Sequence, residues 1–316
     1  MKAIVQNGYG STNYLSVKDV KKPSVKDNEV LVKVLAASVN AGDLFTVKGS
    51  PFMLRFEVGF PKPKDHIPGW DVAGMVDSVG KKVKRFKKGD EVYGSTRYAF
   101  AEFAAGEDVL FQRKPDNLSF EEAAVIPTAA LTALQRLRDG GNIMKGQKIL
   151  ILGASGGVGS MAVQIAKSYG CEVHGVCSSK KKDLVRSLGA SRVYSYDKEN
   201  FTESDERYDL ILDNTGRNGF SDMKRVLTKN GMIMPNSGHG GMGYVIKAFA
   251  RAPFDKHIGT MKIADLKKGD LNTINRLIED GSLRPFVDKV FSLEDTPKAI
   301  DYMDSGRARG KIAIIM

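Results

Sequence analysis

The residues from Gly153 to Gly159, G-A-S-G-G-V-G, carry the clearest chemical signal in this sequence. They follow the apolar stretch 148–152 and precede an amphipathic segment, so a strand, a tight turn and a helix are predicted in that order. The unpaired N–H groups and the dipole at a helix N-terminus attract phosphate oxygens. The pattern therefore predicts a pyrophosphate site for a dinucleotide. A glycine turn used only for packing is the alternative interpretation.

The three glycines of the dinucleotide fingerprint G-x-G-x-x-G have separate tasks. The first permits the tight turn, the second lets the backbone approach the pyrophosphate, and the third lets the helix pack on the strand. Aligned from its end, the fingerprint falls on Ala154, Gly156 and Gly159, so the first position departs from the pattern. Contacts with the cofactor are predicted at Ser155, Gly156, Gly157 and Val158.

The type of dinucleotide is indicated at the end of the second predicted strand, 172–177. An NAD site usually has an Asp or Glu there to bind the ribose 2′-hydroxyl. This chain continues S-S-K-K-K, and no acid appears before Asp183. Lysines at a helix start oppose the helix dipole, which a bound 2′-phosphate would offset. NADPH is therefore predicted, with a solvated surface run as the alternative. The predicted phosphate contacts are Ser178, Ser179, Lys180 and Lys181.

Strands and helices on both sides of the turn must hold it in place. From residue 148 onward apolar strands alternate with amphipathic helices, which predicts a parallel sheet covered by helices on both faces. The strands are predicted over 148–152, 172–177, 208–213 and 231–234. The chain before residue 119 is rich in short strands punctuated by glycine and proline. The predicted fold class is therefore α/β.

Length and composition narrow the class of protein. A chain of 316 residues exceeds the size at which one core usually divides, which favours two domains. No stretch is long and apolar enough for a membrane helix, and the N-terminus lacks a signal-peptide core, so a cytoplasmic protein without a membrane partner is expected. Cys171 and Cys177 would lie roughly 20 Å apart on one strand, so both thiols are expected to be free.

The net charge of +11 is open to two interpretations. One is nucleic-acid binding, and the other is a solvated basic surface that helps to gather an anionic cofactor. In the basic run 81–88, Val83 and Phe86 stand at a spacing typical of packing, which favours the solvated surface. The run 180–182 falls at the predicted phosphate site. No nucleic-acid partner is therefore predicted.

Motifs along the whole chain resemble those of the medium-chain dehydrogenase/reductase superfamily, specifically its zinc-free quinone oxidoreductase-like branch. They are A-A-S-V-N-A-G-D (36–43), G-W-D-V-A-G (69–74), G-D-E-V-Y-G (89–94), A-A-L-T-A-L (129–134) and G-R-A-R-G-K-I (306–312). The resemblance implies a Rossmann dinucleotide-binding domain (120–284) inserted into a β-rich GroES-like, or chaperonin-10-like, domain (1–119), to which 285–316 returns. It also implies an active site in the cleft and a homodimer.

The resemblance also indicates that the usual zinc ligands are missing. The zinc-dependent branch has a cysteine and a His-Glu pair where this chain has Asn40 and Trp70-Asp71, and no cysteine occurs between Gly89 and Pro115. The histidines, His66, His174, His239 and His257, lack ligand spacing. No metal site is predicted, and without a Lewis acid the reduction of an activated acceptor is favoured over the oxidation of an alcohol.

A quinone or an α,β-unsaturated carbonyl accepts hydride from NADPH once a hydrogen bond polarises its oxygen. By resemblance, Asn40 lies nearest the nicotinamide and would donate that bond; a structural turn asparagine is the alternative. Asp43 is expected to cap a turn or helix. Lys311 is expected near the adenosine phosphate or, alternatively, on the surface. Cofactor contacts are thus also predicted at Asn40, Thr132, Tyr196, Asn214 and Lys311.

The loop 52–60 supplies apolar side chains that would either line an acceptor pocket or form a packed cluster. They are Phe52, Met53, Leu54, Phe56 and Phe60. The leading prediction is an NADPH-dependent reductase of quinones or enones. The alternatives are an NADPH-binding sensor or partner-binding protein with little catalysis, an enzyme acting on simple aldehydes or alcohols, and a nucleic-acid binder.

Overall fold

A computed structural model of the chain describes residues 1–63, 66–237, 240–266 and 269–316. The chain forms two compact units. The first unit consists of Met1–Ala129, Asp265–Glu279 and Pro285–Met316, and the second of Ala130–Ala264 and Asp280–Arg284. The second unit is therefore inserted, in chain order, into the first.

Strands and short helices make up both units. The strands are β1 (Lys2–Gln6), β2 (Leu15–Asp19), β3 (Glu29–Val39), β4 (Asp71–Val79), β5 (Glu91–Ser95), β6 (Phe103–Glu107), β7 (Phe111–Arg113), β8 (Lys148–Leu152), β9 (Glu172–Cys177), β10 (Arg192–Ser195), β11 (Tyr208–Asp213), β12 (Leu227–Pro235), β13 (Val287–Ser292) and β14 (Lys311–Ile315). The helices are α1 (Ala41–Lys48), α2 (Leu54–Val58), α3 (Phe120–Ala124), α4 (Pro127–Gln135), α5 (Gly157–Ser168), α6 (Lys182–Ser187), α7 (Phe220–Lys224), α8 (Gly241–Arg251), α9 (Leu271–Glu279) and α10 (Thr296–Asp304). None of the helices in the described ranges has the length and apolarity needed to cross a membrane.

The main sheet of the first unit has the order β13-β14-β3-β4-β5-β7, with β6 also paired to β3. β-Branched residues suit such a pleated surface, and Val32, Val34 and Val72 are buried in its core. β14 pairs antiparallel with β3, where Ile312 lies opposite Val39. This register places the start of the C-terminal strand beside the end of β3.

In the second unit the described strands form a parallel sheet in the order β10-β9-β8-β11-β12. The chain moves outward from β8 first to β9 and β10, and then to the other side with β11 and β12. Ligands of such sheets bind beyond the carboxyl ends of the strands, where the strand order reverses. The predicted fold class, a Rossmann domain inserted into a β-rich GroES-like domain, is confirmed.

The boundary between the two units was predicted after residue 119, and the structure has it at a different position. The first unit extends to Ala129, because α3 buries Ala123 and Ala124 and the Thr128 hydroxyl bonds to Asp71 on β4. Ser119 does begin α3, as predicted, with its hydroxyl accepting the Glu122 N–H.

The segment Asp265–Glu279 also belongs to the first unit rather than to the nucleotide-binding domain in which it was predicted. One face of α9 is buried, and the Tyr93 hydroxyl donates to Asn275 Oδ1 at 2.5 Å. The Asn117 side chain donates to the Ile278 carbonyl at 3.3 Å. These long-range contacts have no signature in the local sequence.

Several strands of the second unit match their predicted bounds, namely β8, β9 and β11. β12 starts earlier than predicted, at Leu227, so the preceding helix is limited to α7. β10 was not predicted, because its sequence R-V-Y-S is too short to show an alternation. Both cysteines are free, as predicted, and both are buried.

Candidate functional site

Asn40 lies in the first unit, at the junction where β3 ends and α1 begins. Its side chain is buried and both of its ends are bound to charged groups. Asn40 Oδ1 accepts a hydrogen bond from Lys311 Nζ at 2.6 Å, and Asn40 Nδ2 donates to Asp71 Oδ2 at 3.0 Å. The other contacts of Nδ2, with Ser38, are at 3.5 Å. One N–H of this amide is therefore held strongly by Asp71, and the other makes only long, weak bonds to Ser38.

Asp71, the first residue of β4, is fully buried and gathers several donors. Its Oδ1 accepts the Thr128 hydroxyl at 2.6 Å, and its Oδ2 accepts the Ser38 hydroxyl at 3.3 Å as well as the Asn40 amide. A buried carboxylate requires such bonds to offset its lost hydration. Asp71 thus links the end of β3 and the start of β4 to the start of α4.

Lys311 is buried, so the alternative that it lies on the surface is wrong, while its position near the adenosine phosphate stays a prediction. The side chain is buried on β14, and its ammonium donates to the Val39 carbonyl at 3.1 Å and to Asn40. Burial lowers the pKa of Lys311, while the charges of Asp71 and Asp43 act in the opposite direction. The pairing of β14 with β3 places this lysine in the interior. In the sequence it follows exposed basic residues, so its burial was not predicted.

Asp43 caps α1, as predicted. Its Oδ2 accepts the Asn40 backbone N–H at 2.7 Å, and its Oδ1 accepts the Gly69 N–H at 3.1 Å. The pKa of the Asp43 carboxyl is raised to about 7. Burial is the main cause, and the charge of Asp71 acts in the same direction. The backbone hydrogen bonds and the charge of Lys311 lower the pKa and so offset part of the rise. Asp43 thereby joins the start of α1 to the chain before β4.

The donor set around Asn40 and Asp71 does not suit Zn²⁺. Zinc binds Cys, His, Asp or Glu in proteins, whereas here an amide and one carboxylate already accept bonds from Lys311 and Thr128. The ammonium of Lys311 would also repel a divalent cation. Across the described ranges, no three His, Cys, Asp or Glu side chains are grouped as metal ligands. His239 lies outside the described residues.

The glycine turn of the second unit follows β8 directly. Gly153 has a φ of +70°, a left-handed conformation that favours glycine. A Cβ on Gly159 would lie 2.1 Å from the Gly153 carbonyl oxygen, so only glycine allows this close approach of helix and strand. Ala154 tolerates a side chain because the left-handed residue is Gly153, and its methyl group faces Gly175 on β9.

The N-terminus of α5 fits a pyrophosphate. Gly156 is the N-cap of this helix, and no acidic residue stands in its first turn. The first N–H groups of a helix have no intrahelical partner and attract anions. A Cβ on Gly156 would meet only the Gly153 carbonyl oxygen, at 3.3 Å, so the space beside the turn is clear. The turn therefore brings together the predicted contacts Ser155, Gly156, Gly157 and Val158.

The segment Ser178–Lys181 lies beyond the carboxyl end of β9, as a phosphate-binding segment should. Lys180 is exposed, and Lys182 is paired with Glu199 at 3.3 Å. Ser179, however, donates both its N–H and its hydroxyl to Asp197, at 2.9 and 2.6 Å. The tertiary structure therefore adds a carboxylate to the predicted site, which sequence reasoning missed because Asp197 follows another strand.

Two further predicted contacts lie in the second unit. The Tyr196 ring follows β10 and is exposed, and the Arg217 guanidinium lies 5.9 Å from its centre. Thr132 is partly buried on α4. Arg217 was not predicted, because its contact with Tyr196 joins the segments that follow β10 and β11, which are far apart in sequence.

Asn214 follows β11 and joins the carboxyl ends of three strands. Its Nδ2 donates to the Leu152 carbonyl at 3.1 Å, and its Oδ1 accepts from Asn236 at 2.7 Å. The preceding Asp213, also missed, is fully buried and accepts the Gly216 N–H at 2.9 Å and the Tyr244 hydroxyl at 2.7 Å. These two residues shape the loop at the predicted dinucleotide edge of the sheet.

The aromatic cluster, defined here as Phe52, Phe56 and Phe60, lies on the surface of the first unit. The rings are 5.5 to 6.0 Å apart between centres, and each side chain is more than half exposed. Met53 is also exposed, and Leu54 partly so. The alternative of a packed core cluster is therefore wrong.

The comparisons with known families cover most of the chain. Residues 26–135 match the alcohol dehydrogenase GroES-like domain, and residues 188–314 match the family described as zinc-binding dehydrogenase. The chain is 35% identical to 2-methylene-furan-3-one reductase of Solanum lycopersicum, over 99% of the chain and 79% of that protein. It is 32% identical to the chloroplastic NADPH-dependent alkenal/one oxidoreductase of Arabidopsis thaliana, with the same coverage.

Solved structures also match the whole chain. The quinone oxidoreductase from Coxiella burnetii superposes with a TM-score of 0.89 at 27% sequence identity, over 100% of this chain and 99% of that one. Similarity in fold and in sequence therefore extends over both units.

Proposed function

Because the chain belongs to the medium-chain dehydrogenase/reductase superfamily, in its quinone oxidoreductase-like branch, we propose that it is an NADPH-dependent reductase of quinones or α,β-unsaturated carbonyls. Relatives named as alkenal/one oxidoreductase and quinone oxidoreductase support this function. The observation that carries it is the Asn40 amide, which is fixed by Lys311 and Asp71 while its second N–H makes only long bonds, of 3.5 Å, to Ser38. The proposal includes independence from zinc, supported by the donor set at Asn40 and Asp71.

NADPH would be held by the second unit. The backbone from Ser155 to Val158 and the N-terminus of α5 would bind its pyrophosphate, and Ser178, Lys180 and Lys181 its 2′-phosphate. Ser179 contributes less, since Asp197 engages both of its donors. The further proposed contacts are Thr132, Tyr196 and Asn214.

When bound, NADPH supplies the hydride. The chain's own contribution is electrostatic: the second Nδ2 hydrogen of Asn40, which makes only long bonds of 3.5 Å to Ser38, donates to the acceptor oxygen, where negative charge develops during reduction. Asp71 holds the same amide nitrogen from the other side at 3.0 Å. The exposed aromatic cluster offers an apolar surface for the acceptor, which suits quinones and enones.

The proposal is tested by following the loss of NADPH absorbance with a panel of quinones, enals and simple aldehydes, and the gain of NADPH absorbance when alcohols are supplied with NADP⁺. Turnover of quinones or enals is expected, and Asn40→Ala should lower kcat about 10-fold to 100-fold. Asn13→Ala, which changes an exposed asparagine in the first unit, is the matched control. Tight NADPH binding without hydride transfer would identify a sensor instead.

Three finer predictions accompany this function. A homodimer is expected from the family resemblance and is tested by light scattering during size-exclusion chromatography. The absence of nucleic-acid binding is tested by mobility-shift assays at physiological salt. A cytoplasmic location is tested by imaging the full chain in its cells.

A further inference from the structure

Lys311 and Asp71 together determine which way the Asn40 amide faces. An ammonium only donates hydrogen bonds, and a carboxylate only accepts them. If the Asn40 side-chain amide were flipped, its NH₂ would face the Lys311 ammonium and its oxygen would face the Asp71 carboxylate. Both hydrogen bonds would then be lost. Lys311 and Asp71 are 4% and 0% exposed, so solvent cannot replace either partner.

The charge of Lys311 also acts on the donor strength of Asn40. A hydrogen bond from a charged group is shorter and stronger than a neutral one, and that to Asn40 Oδ1 is 2.6 Å. The hydrogen bond from the Lys311 ammonium draws electron density toward the oxygen of the Asn40 amide. Hydrogen bonds that form a chain reinforce one another in a low-dielectric interior. The remaining Nδ2–H is therefore a better donor than the same group in a free asparagine.

A buried lysine is an unusual choice for this strand. The residues that follow on β14, Ile312, Ala313 and Ile314, are buried and apolar, and an apolar side chain at 311 would avoid the cost of desolvating a charge. Asp71 and Asp43 offset part of that cost by their charges. The direct contact with Asn40 gives the lysine a role beyond packing.

We infer that Lys311 is a positioning residue for reduction: it orients the Asn40 amide and strengthens the N–H that Asn40 offers to the acceptor. This inference rests on the proposed function, since Asn40 is the group through which Lys311 acts. It assigns to Lys311 an effect on kcat and none on NADPH affinity.

A double-mutant cycle with Lys311→Met and Asn40→Ala tests this role. Lys311→Met retains the length of the side chain and removes its donors, so kcat should fall about 10-fold to 100-fold with NADPH affinity unchanged. In the Asn40→Ala background the same change should alter kcat less than about 2-fold. Equal losses in both backgrounds, or an unchanged kcat in either single variant, would overturn the inference.

Two variants separate this role from a general loss of stability. Lys33→Met changes an exposed lysine of β3 and should leave kcat unchanged. Lys311→Gln retains an N–H donor without the charge and should recover part of the kcat lost in Lys311→Met. If Lys311→Met does not fold, Lys311→Gln takes its place in the double-mutant cycle. The expected loss of kcat is then smaller, but it should still depend on the presence of Asn40. No loss of kcat, or a loss that is the same without Asn40, would contradict the inference.

A second readout needs no turnover. With ¹⁵N-labelled asparagine, the Asn40 side-chain NH₂ signals are identified by their loss in Asn40→Ala. In the wild-type chain they should exchange slowly with solvent, and in Lys311→Met or Lys311→Gln their exchange should become at least 10-fold faster; unchanged exchange would contradict the orienting role. If the wild-type chain reduces no acceptor at all, the proposed function fails, while this measurement still decides whether Lys311 holds Asn40.

Discussion

Ser179 and Asp197 are bound to each other through both donors of the serine. The hydroxyl donates to Asp197 Oδ2 at 2.6 Å and the backbone N–H to Oδ1 at 2.9 Å. These bonds lower the pKa of the Asp197 carboxyl. A negative charge therefore lies beside the segment proposed to hold the 2′-phosphate of NADPH.

Removing this charge should strengthen the preference for NADPH. Asp197→Asn keeps an acceptor for Ser179 but no longer repels a phosphate, so the ratio of NADPH to NADH affinity should rise about 2-fold to 5-fold. Fluorescence titration with both cofactors measures the ratio, and the gain should shrink at high salt. A ratio that falls would show that Asp197 orders the site more than it repels the phosphate.

The lysines of the same segment should act in the opposite direction. Lys180→Ala and Lys181→Ala remove positive charges beside the 2′-phosphate, so each should weaken NADPH binding about 2-fold to 10-fold and leave NADH binding unchanged. Lys182→Ala is the matched control, since its ammonium is engaged by Glu199. Equal losses with NADH would place these lysines elsewhere than at the 2′-phosphate.

The close approach of α5 to β8 predicts a steric effect at Gly159. Gly159→Ala places a methyl group against the Gly153 carbonyl, so the free energy of unfolding should fall by about 1 to 3 kcal/mol and NADPH binding should weaken. Gly243→Ala is the control, because a Cβ there meets no atom within 4 Å. Urea denaturation compares the two, and equal stabilities would contradict the packing role of Gly159.

Burial of Asp43 predicts a pH dependence of stability. Its folded pKa of about 7 exceeds that of the unfolded chain, near 4, so folding takes up a proton between these values. Its contribution to stability should therefore be largest below about pH 4, fall as the pH rises to about 7 and stay constant above, with a total change of up to about 4 kcal/mol.

Comparison of the wild-type chain with Asp43→Asn isolates this effect. Burial lowers the pKa of His66 to about 4, so His66 contributes stability above about pH 6.5 that is lost as the pH falls. The pH dependence of stability that comes from His66 is therefore opposite in sign to that from Asp43 and overlaps it in pH range. The difference in unfolding free energy between the two proteins, measured by urea at pH 5 and pH 8, removes this common contribution. A difference independent of pH would contradict a titrating Asp43.

The exposure of the aromatic cluster predicts a role in binding rather than in folding. Phe56→Ala should change the free energy of unfolding by less than about 0.5 kcal/mol, since the side chain is 60% exposed. The KM for apolar quinones should rise several-fold, and that for small enals less. Phe254→Ala, at a more exposed phenylalanine, should change neither, and the same result for Phe56→Ala would remove the cluster from the acceptor site.

The sequence by itself determined the elements that depend on local pattern. The glycine turn after β8 was predicted because strand, turn and helix each have a short-range signature, and Gly159 was assigned its packing role from spacing alone. The resemblance of whole motifs identified the family and singled out Asn40 where a zinc ligand would otherwise stand. These inferences required no knowledge of how distant segments meet.

Only the tertiary structure decided the partners of those residues. Lys311 reaches Asn40 because β14 pairs with β3, although the two residues stand at opposite ends of the chain. Asp197 reaches Ser179 because the ends of β9 and β10 are neighbours in the sheet. Strand pairing brings together residues whose separation in sequence leaves no local pattern, so the charges around a site cannot be derived from the segment that carries it.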